Sequence, residues 1–262
     1  MKSRVLPYRL TALLSLLVIG LTQAHAASPP APQPPVTTIE VAAPVWENET
    51  NADGSGLYYD LLRLVYAPLG IAVKTRSIPF ARVSLLLTLS AIDAGVGSYS
   101  SDVTKKGDWR FYLTPKHPIG TERLVAIFKK GTVNKWEYPG SFKGKKVAWI
   151  DGYSYEFVLQ IDMDYQKLDN QEQGWRMLQA GRVDFFLESE SDARAAACRC
   201  HIDLNAYQFE LIAEKNLYIP FAKGRKRDWL RAVFDQRMEE LRRSGELHQL
   251  YARYGRPLPP EE

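Results

Sequence analysis

Between Met177 and Ser189 the chain passes through a short apolar helix end, a turn and an apolar strand that runs out into acidic residues. Gly181 marks the helix stop, because glycine takes φ > 0 without steric cost. Val183, Phe185, Phe186 and Leu187 are nearly continuous in apolar character, which predicts a strand covered on both faces by helices in a parallel sheet. Glu188, Ser189 and Glu190 follow directly. Ligands collect beyond the carboxyl ends of strands in open α/β sheets, so this polar cluster is a candidate site. The same order recurs from Leu85 to Ser100, where an apolar helix leads through Asp93 into a strand ending in Gly95, Gly97, Ser98 and Tyr99. Two such units about ninety residues apart predict two similar lobes facing each other.

Ile39, Val41 and Ala43 alternate as a first strand, Trp46 sits just past its carboxyl end, and an Asp53-Gly54 turn precedes Leu57, Leu61, Leu62, Leu64 and Val65 at helical spacing. A strand over Ile71 to Arg76, a helix opened by Pro79 to Arg82 and the strand at Gly95 to Ser98 complete a β-α-β-α-β order, the signature of a parallel sheet wrapped by helices. Residues 102–122 carry no regular period. Further strands are expected at Arg123 to Lys129 and Gly144 to Ile150, the second followed by the loop Asp151 to Ser154 and a helix from Tyr155. A strand, a glycine-containing loop and a helix N-terminus present free N–H groups and a favourable dipole to an anionic ligand group. After a strand at Leu217 to Phe221, the residues Trp229, Leu230, Val233, Phe234, Met238 and Leu241 share one face of a sheet-covering helix, and a short helix with Leu247, Leu250 and Tyr251 follows.

The first residues have a different character. Lys2, Arg4 and Arg9 precede an apolar stretch from Leu10 to Leu21, and Ala24-His25-Ala26 offers small residues at a cleavage site. This predicts a secretory signal over residues 1–26, a mature N-terminus at Ala27, a Pro-rich leader to Pro35 and a periplasmic location. Loss of the signal removes three basic and no acidic side chains and lowers the formal charge from +4 to +1, which gives no reason to expect a nucleic-acid or anionic-membrane partner. Cys198 and Cys200, the only cysteines, flank Arg199 and precede His201. No second cluster stands at zinc spacing, so a local disulfide or two free thiols is the simpler expectation than a metal site, and no cofactor is expected.

The ordered set Gly56 to Leu62 (GLYYDLL), Pro79 to Arg82 (PFAR), Ile92 to Ser100 (IDAGVGSYS), Leu124 to Thr132, Phe142 to Glu156, Met177 to Ser189 and Arg242 to Gly255 resembles the family 3 extracellular solute-binding proteins, the periplasmic receptors of polar amino-acid ABC transporters. The resemblance implies an α/β, two-lobed Venus-flytrap fold of type II, each lobe a mostly parallel sheet flanked by helices. It implies a first lobe over residues 36–122 and 218–262, a second over 123–217 and hinge segments at the ends of the second. It also implies a monomer that closes on a small polar ligand, an amino acid or a related compound, and is then recognised by a membrane permease. Two departures stand out. Ser189, flanked by Glu188 and Glu190, occupies the position of the family's acid for a ligand ammonium group. Lys105 and Lys106 stand where a carboxylate-clamping arginine is expected, and lysine lacks the bidentate fork.

The candidate ligand-binding residues are Trp46, Tyr58 and Tyr99 as flat walls, Ser98 beside them, Arg82 as a cation from a helix start, and Asp151, Tyr153, Ser154 and Glu188 from the second lobe. Ser154 matches the family's hydroxyl residue. A sensory binding protein signalling to a membrane receptor has the same sequence features as a transport receptor. No Gly-x-Ser-x-Gly, His-Glu-x-x-His or phosphate-loop pattern occurs, and Glu188 and Glu190 have no opposing carboxylate placed by motif, so an enzyme is not expected.

Overall fold

The structure is a computed structural model that describes residues 36–99, 112–159, 161, 163 and 165–261. The expected signal and leader, together with Lys105 and Lys106, lie outside the described residues.

Two five-stranded sheets organise the chain. The first has the order β2 (Ala72–Ser77), β1 (Thr38–Ala43), β3 (Ala94–Gly95), β10 (Phe221–Ala222) and β4 (Tyr112–Leu113). Strand β1 runs parallel to β2 and β3, and β10 is antiparallel to β3 and β4. The second sheet has the order β7 (Tyr165–Leu168), β6 (Val147–Ile150), β8 (Phe185–Ser189), β5 (Gly120–Lys129) and β9 (Tyr207–Leu217). Strand β6 is parallel to β7 and β8, whereas β5 is antiparallel to β8 and β9. Both sheets are therefore mixed. The long antiparallel pair β5 and β9 was not expected from the sequence, and neither was β7.

Helices cover the sheets as the apolar spacing requires. In α1 (Leu57–Tyr66), Leu57, Leu61, Leu62 and Val65 pack with Leu230, Phe234 and Met238 of α6 (Arg225–Ser244) and Leu247 and Leu250 of α7 (Glu246–Arg253) on one side of the first sheet. Helix α2 (Phe80–Thr88) buries Val83 and Leu87. In the second sheet Trp175, Met177 and Leu178 of α4 (Gln171–Gln179) pack with Phe186 of β8 and with Ala193, Ala196 and Ala197 of α5 (Glu190–Arg199). Helix α3 (Tyr155–Leu159) starts directly after the β6 loop. Helix α5 occupies the stretch that carries the cysteine run. Cys198 is in its last turn, Cys200 caps it, and both thiols are free. Among the described residues no helix is long and apolar enough to cross a membrane.

Asp93 locks the first sheet to α6. Its buried carboxylate accepts the Glu40 N–H at 2.9 Å, Lys226 Nζ at 2.6 Å and Arg227 Nε at 3.1 Å. Removing the charge leaves two cations facing an uncharged side chain, so Asp93→Asn is expected to destabilise by about 2 kcal/mol. Urea unfolding measures this. A loss below about 0.5 kcal/mol would place the cluster with ordinary surface ion pairs.

Candidate functional site

The turn after β1 is built to hold one indole in place. Glu49 N–H and Thr50 N–H both donate to the Trp46 carbonyl, and Thr50 Oγ1 donates to Pro44 O at 2.7 Å while accepting the Trp46 N–H at 3.2 Å. Gly97 makes room for the ring: a Cβ there would lie 2.3 Å from the indole, and its φ of +84° suits glycine. From the loop after β6 of the second sheet, Tyr153 reaches across. Trp46 Nε1 donates to Tyr153 Oη at 3.2 Å, and Phe80 and Tyr153 meet edge to face at 5.9 Å between centroids. Arg199 of α5 also reaches Glu47 at 3.3 Å.

Below these contacts lies a cavity of about 140 Å³. Trp46, Tyr58, Phe80, Tyr99, Tyr153, Tyr155 and Tyr251 supply aromatic walls, and Glu49, Glu122, Asp192 and Arg256 supply charge. The hydroxyls of Thr121, Ser189 and Ser191 complete the polar lining. A cavity near this size is enough for a benzene-sized molecule.

Four of the residues expected from sequence line this cavity: Trp46, Tyr58, Tyr99 and Tyr153. The other five do not. Arg82 is exposed on α2. Ser98 is buried under the wall, where its Oγ meets Tyr112 Oη at 3.1 Å. Asp151 pairs with Lys167 at 2.7 Å on the outside of the second sheet. Ser154 has a φ of +55°, and its hydroxyl turns back to Gly152 O at 3.5 Å. Glu188 is fully buried behind the lining.

The cavity carboxylates differ in how they are satisfied. Glu122 accepts from the hydroxyls of Tyr99 and Tyr155, the latter at 3.1 Å. Burial raises its pKa against those two hydrogen bonds. Glu49 pairs with Arg256 of the C-terminal tail, and burial raises its pKa against that charge. Asp192 has neither a hydrogen bond nor an ion pair among the described residues. Burial, then the charges of Glu49 and Glu122, push its pKa up to about 8. Behind it, Glu188 uses Oε1 to accept the Ser189 N–H at 2.8 Å, and Oε2 is buried without a hydrogen-bond partner. Burial and the neighbouring Asp192 hold its pKa well above the usual carboxylate range.

No protein-family model and no curated protein matches the sequence. Solved structures do match its shape. A substrate-binding protein of an ABC uptake transporter from Streptococcus pneumoniae, solved with bound histidine, superposes with a TM-score of 0.69 at 16% identity, over 86% of this chain and 95% of that one. A histidine kinase sensor domain with similarity to periplasmic binding proteins gives 0.71 at 17% identity, over 86% of this chain and 99% of the other. The fold is that of the two-lobed periplasmic binding proteins. EhuB in complex with hydroxyectoine gives 0.68 at 19% identity, over 84% of this chain and 89% of that one, and likewise shares the periplasmic-binding fold.

Proposed function

We propose that this periplasmic-binding-fold chain is a family 3 solute-binding protein that captures a small polar ligand, an amino acid or a related compound, between its lobes and delivers it to a membrane permease for ABC-type uptake. The observation that carries this reading is the cavity lined by Trp46 and Phe80 from one lobe and Tyr153 and Tyr155 from the other. A cleft whose two walls meet through the Trp46 to Tyr153 hydrogen bond and the Phe80 to Tyr153 ring pair is the geometry of capture by closure. Proteins of the same fold bind histidine, arginine and hydroxyectoine, which supports the ligand class. The binding groups named from sequence at Trp46, Tyr58, Tyr99 and Tyr153 belong to this proposal, extended by Glu49, Glu122, Tyr155, Asp192 and Arg256.

The first lobe in this proposal spans residues 36–122 and 218–262, and the second spans 123–217. The paired run of Gly120 to Arg123 against Glu214 to Leu217 at the cavity base is the hinge. The basic and apolar N-terminal residues support export to the periplasm, where the protein is proposed to act as a monomer. Capture and release need no chemical step, so the protein is proposed not to be an enzyme. The sensor-domain likeness favours a second reading, in which the closed form signals to a membrane receptor.

A thermal-shift screen of the mature protein against amino acids, betaines, polyamines and sugars tests capture, since a ligand selective for the folded state raises Tm by mass action. A bound ligand is expected to raise Tm and to reduce the radius of gyration in small-angle scattering. Binding without compaction would rule out closure. Co-purification with a permease as against a receptor kinase separates the two readings.

A further inference from the structure

We infer that the cavity selects a small organic cation, and that Asp192 is the side chain that anchors its charge against the aromatic walls. The inference rests on the proposed capture function and names the chemical class of what is captured.

Three carboxylates line the cavity, and two are already engaged. Glu49 is held by Arg256, and Glu122 receives two tyrosine hydroxyls. Asp192 alone of the three has no polar partner among the described residues. It sits in the first turn of α5, where the helix N-terminus favours negative charge, next to the Ser189 and Ser191 hydroxyls that bond each other at 2.9 Å. The one guanidinium in the lining, Arg256, is spent on Glu49, so the described walls offer no free cation to an anionic ligand. They offer instead seven aromatic rings, whose faces attract a desolvated cation.

The surroundings sharpen the preference. Glu188 lies fully buried beneath, with Oε2 unpartnered, and burial first, then a negative charge on Asp192, raises its pKa. Asp192 is faced by Glu49 and Arg256, by Glu122 of β5, by Glu188 of β8, by Tyr58 of α1 and Tyr153 of the β6 loop, and by Arg199 of its own helix. In that company an unliganded Asp192 holds its proton to about pH 8. A cation entering beside it favours the ionised form, so binding releases a proton to solvent. Affinity for a permanent cation is then expected to be roughly fiftyfold weaker at pH 6 than at pH 8, since each pH unit below the pKa approaches a tenfold loss.

Calorimetry on the mature protein tests this with tetramethylammonium, choline, guanidinium, agmatine and arginine. Neutral counterparts are 3,3-dimethyl-1-butanol for choline and urea for guanidinium. At least one cation is expected to bind, with its neutral counterpart more than tenfold weaker. Asp192→Asn is expected to weaken that cation more than tenfold and to flatten the pH dependence, and Asp192→Glu to restore part of both. Circular dichroism of each variant confirms the fold. Cation binding that ignores Asp192→Asn, or a neutral or anionic solute that binds more tightly than every cation, overturns the inference. Compaction on such a neutral or anionic solute would leave the capture function standing, whereas no binding by any class would remove both.

Discussion

Gly152→Ala is expected to hold the two lobes apart and weaken ligand binding by about a hundredfold. Gly152 lies in the loop after β6, and a Cβ there would sit 2.7 Å from the Cα and N of Ala81 and 2.8 Å from its Cβ. Ala81 is in the first turn of α2, on the opposite lobe, and backbone atoms cannot rotate aside as a side chain can. The lobes must separate locally, at a cost of about 1 to 3 kcal/mol for overpacking. Separation also strains the Trp46 to Tyr153 hydrogen bond and the Phe80 to Tyr153 ring pair, which lie beside it. Alanine at a φ of +89° is strained as well, so a control is needed. Gly131 has a φ of +87° with nothing within 4 Å, and Gly131→Ala reproduces the backbone strain without the contact. Scattering should show a larger radius of gyration for Gly152→Ala alone. Equal radii and equal affinities in the two variants would show that this contact does not govern closure.

The parts of the fold visible in the sequence are those whose burial is one-sided and periodic. Leu57, Leu61, Leu62 and Val65 repeat at helical spacing because one face of α1 meets the first sheet. Strand β9 escaped notice because it lies at a sheet edge, half-exposed along most of its length, with Glu210, Glu214 and Lys215 interrupting any apolar alternation. Strand β7 is the opposite edge and equally polar. Helix α5 had a local signal: Ser189 precedes an alanine-rich run in which Glu190 and Arg194 pair four residues apart.

The candidate cavity divides along similar lines. Trp46, Tyr58, Tyr99 and Tyr153 were legible as aromatics at strand ends and helix starts, where the fold concentrates its ligands. Nearness to a strand end does not fix where a side chain points, as the Asp151 pair with Lys167 illustrates. Asp192 lies beyond the acidic run at the end of β8, and only the start of α5 at Glu190 brings it to the cavity. Arg256 is more distant still in sequence. Its place depends on the tail after α7, where Arg242 Nη2 donates to Pro259 O at 2.9 Å and Arg256 meets Glu49 across 207 positions of chain. No local pattern encodes that contact.

Glu188→Gln is expected to stabilise the ligand-free protein at pH 7 and to leave its stability at pH 4 nearly unchanged. Burial above all raises the pKa of the Glu188 carboxyl in the folded protein, whereas in the unfolded chain it ionises near its ordinary value of 4.5. The folded state therefore binds more protons than the unfolded one above that value. Stability falls as pH rises, by up to about 1.4 kcal/mol per unit until the folded group itself ionises. Glutamine keeps the acceptor for the Ser189 N–H and removes the titration, so the gap between variant and parent should open steadily from pH 4.5 upward. Urea unfolding at pH 4, 5.5 and 7 measures it, with contributions from other groups cancelling in the difference. A cation in the cavity lowers both acidic pKa values, so saturating ligand should narrow the gap again. Parallel stability profiles for the two proteins would mean that Glu188 titrates as an ordinary solvated carboxylate in the folded protein.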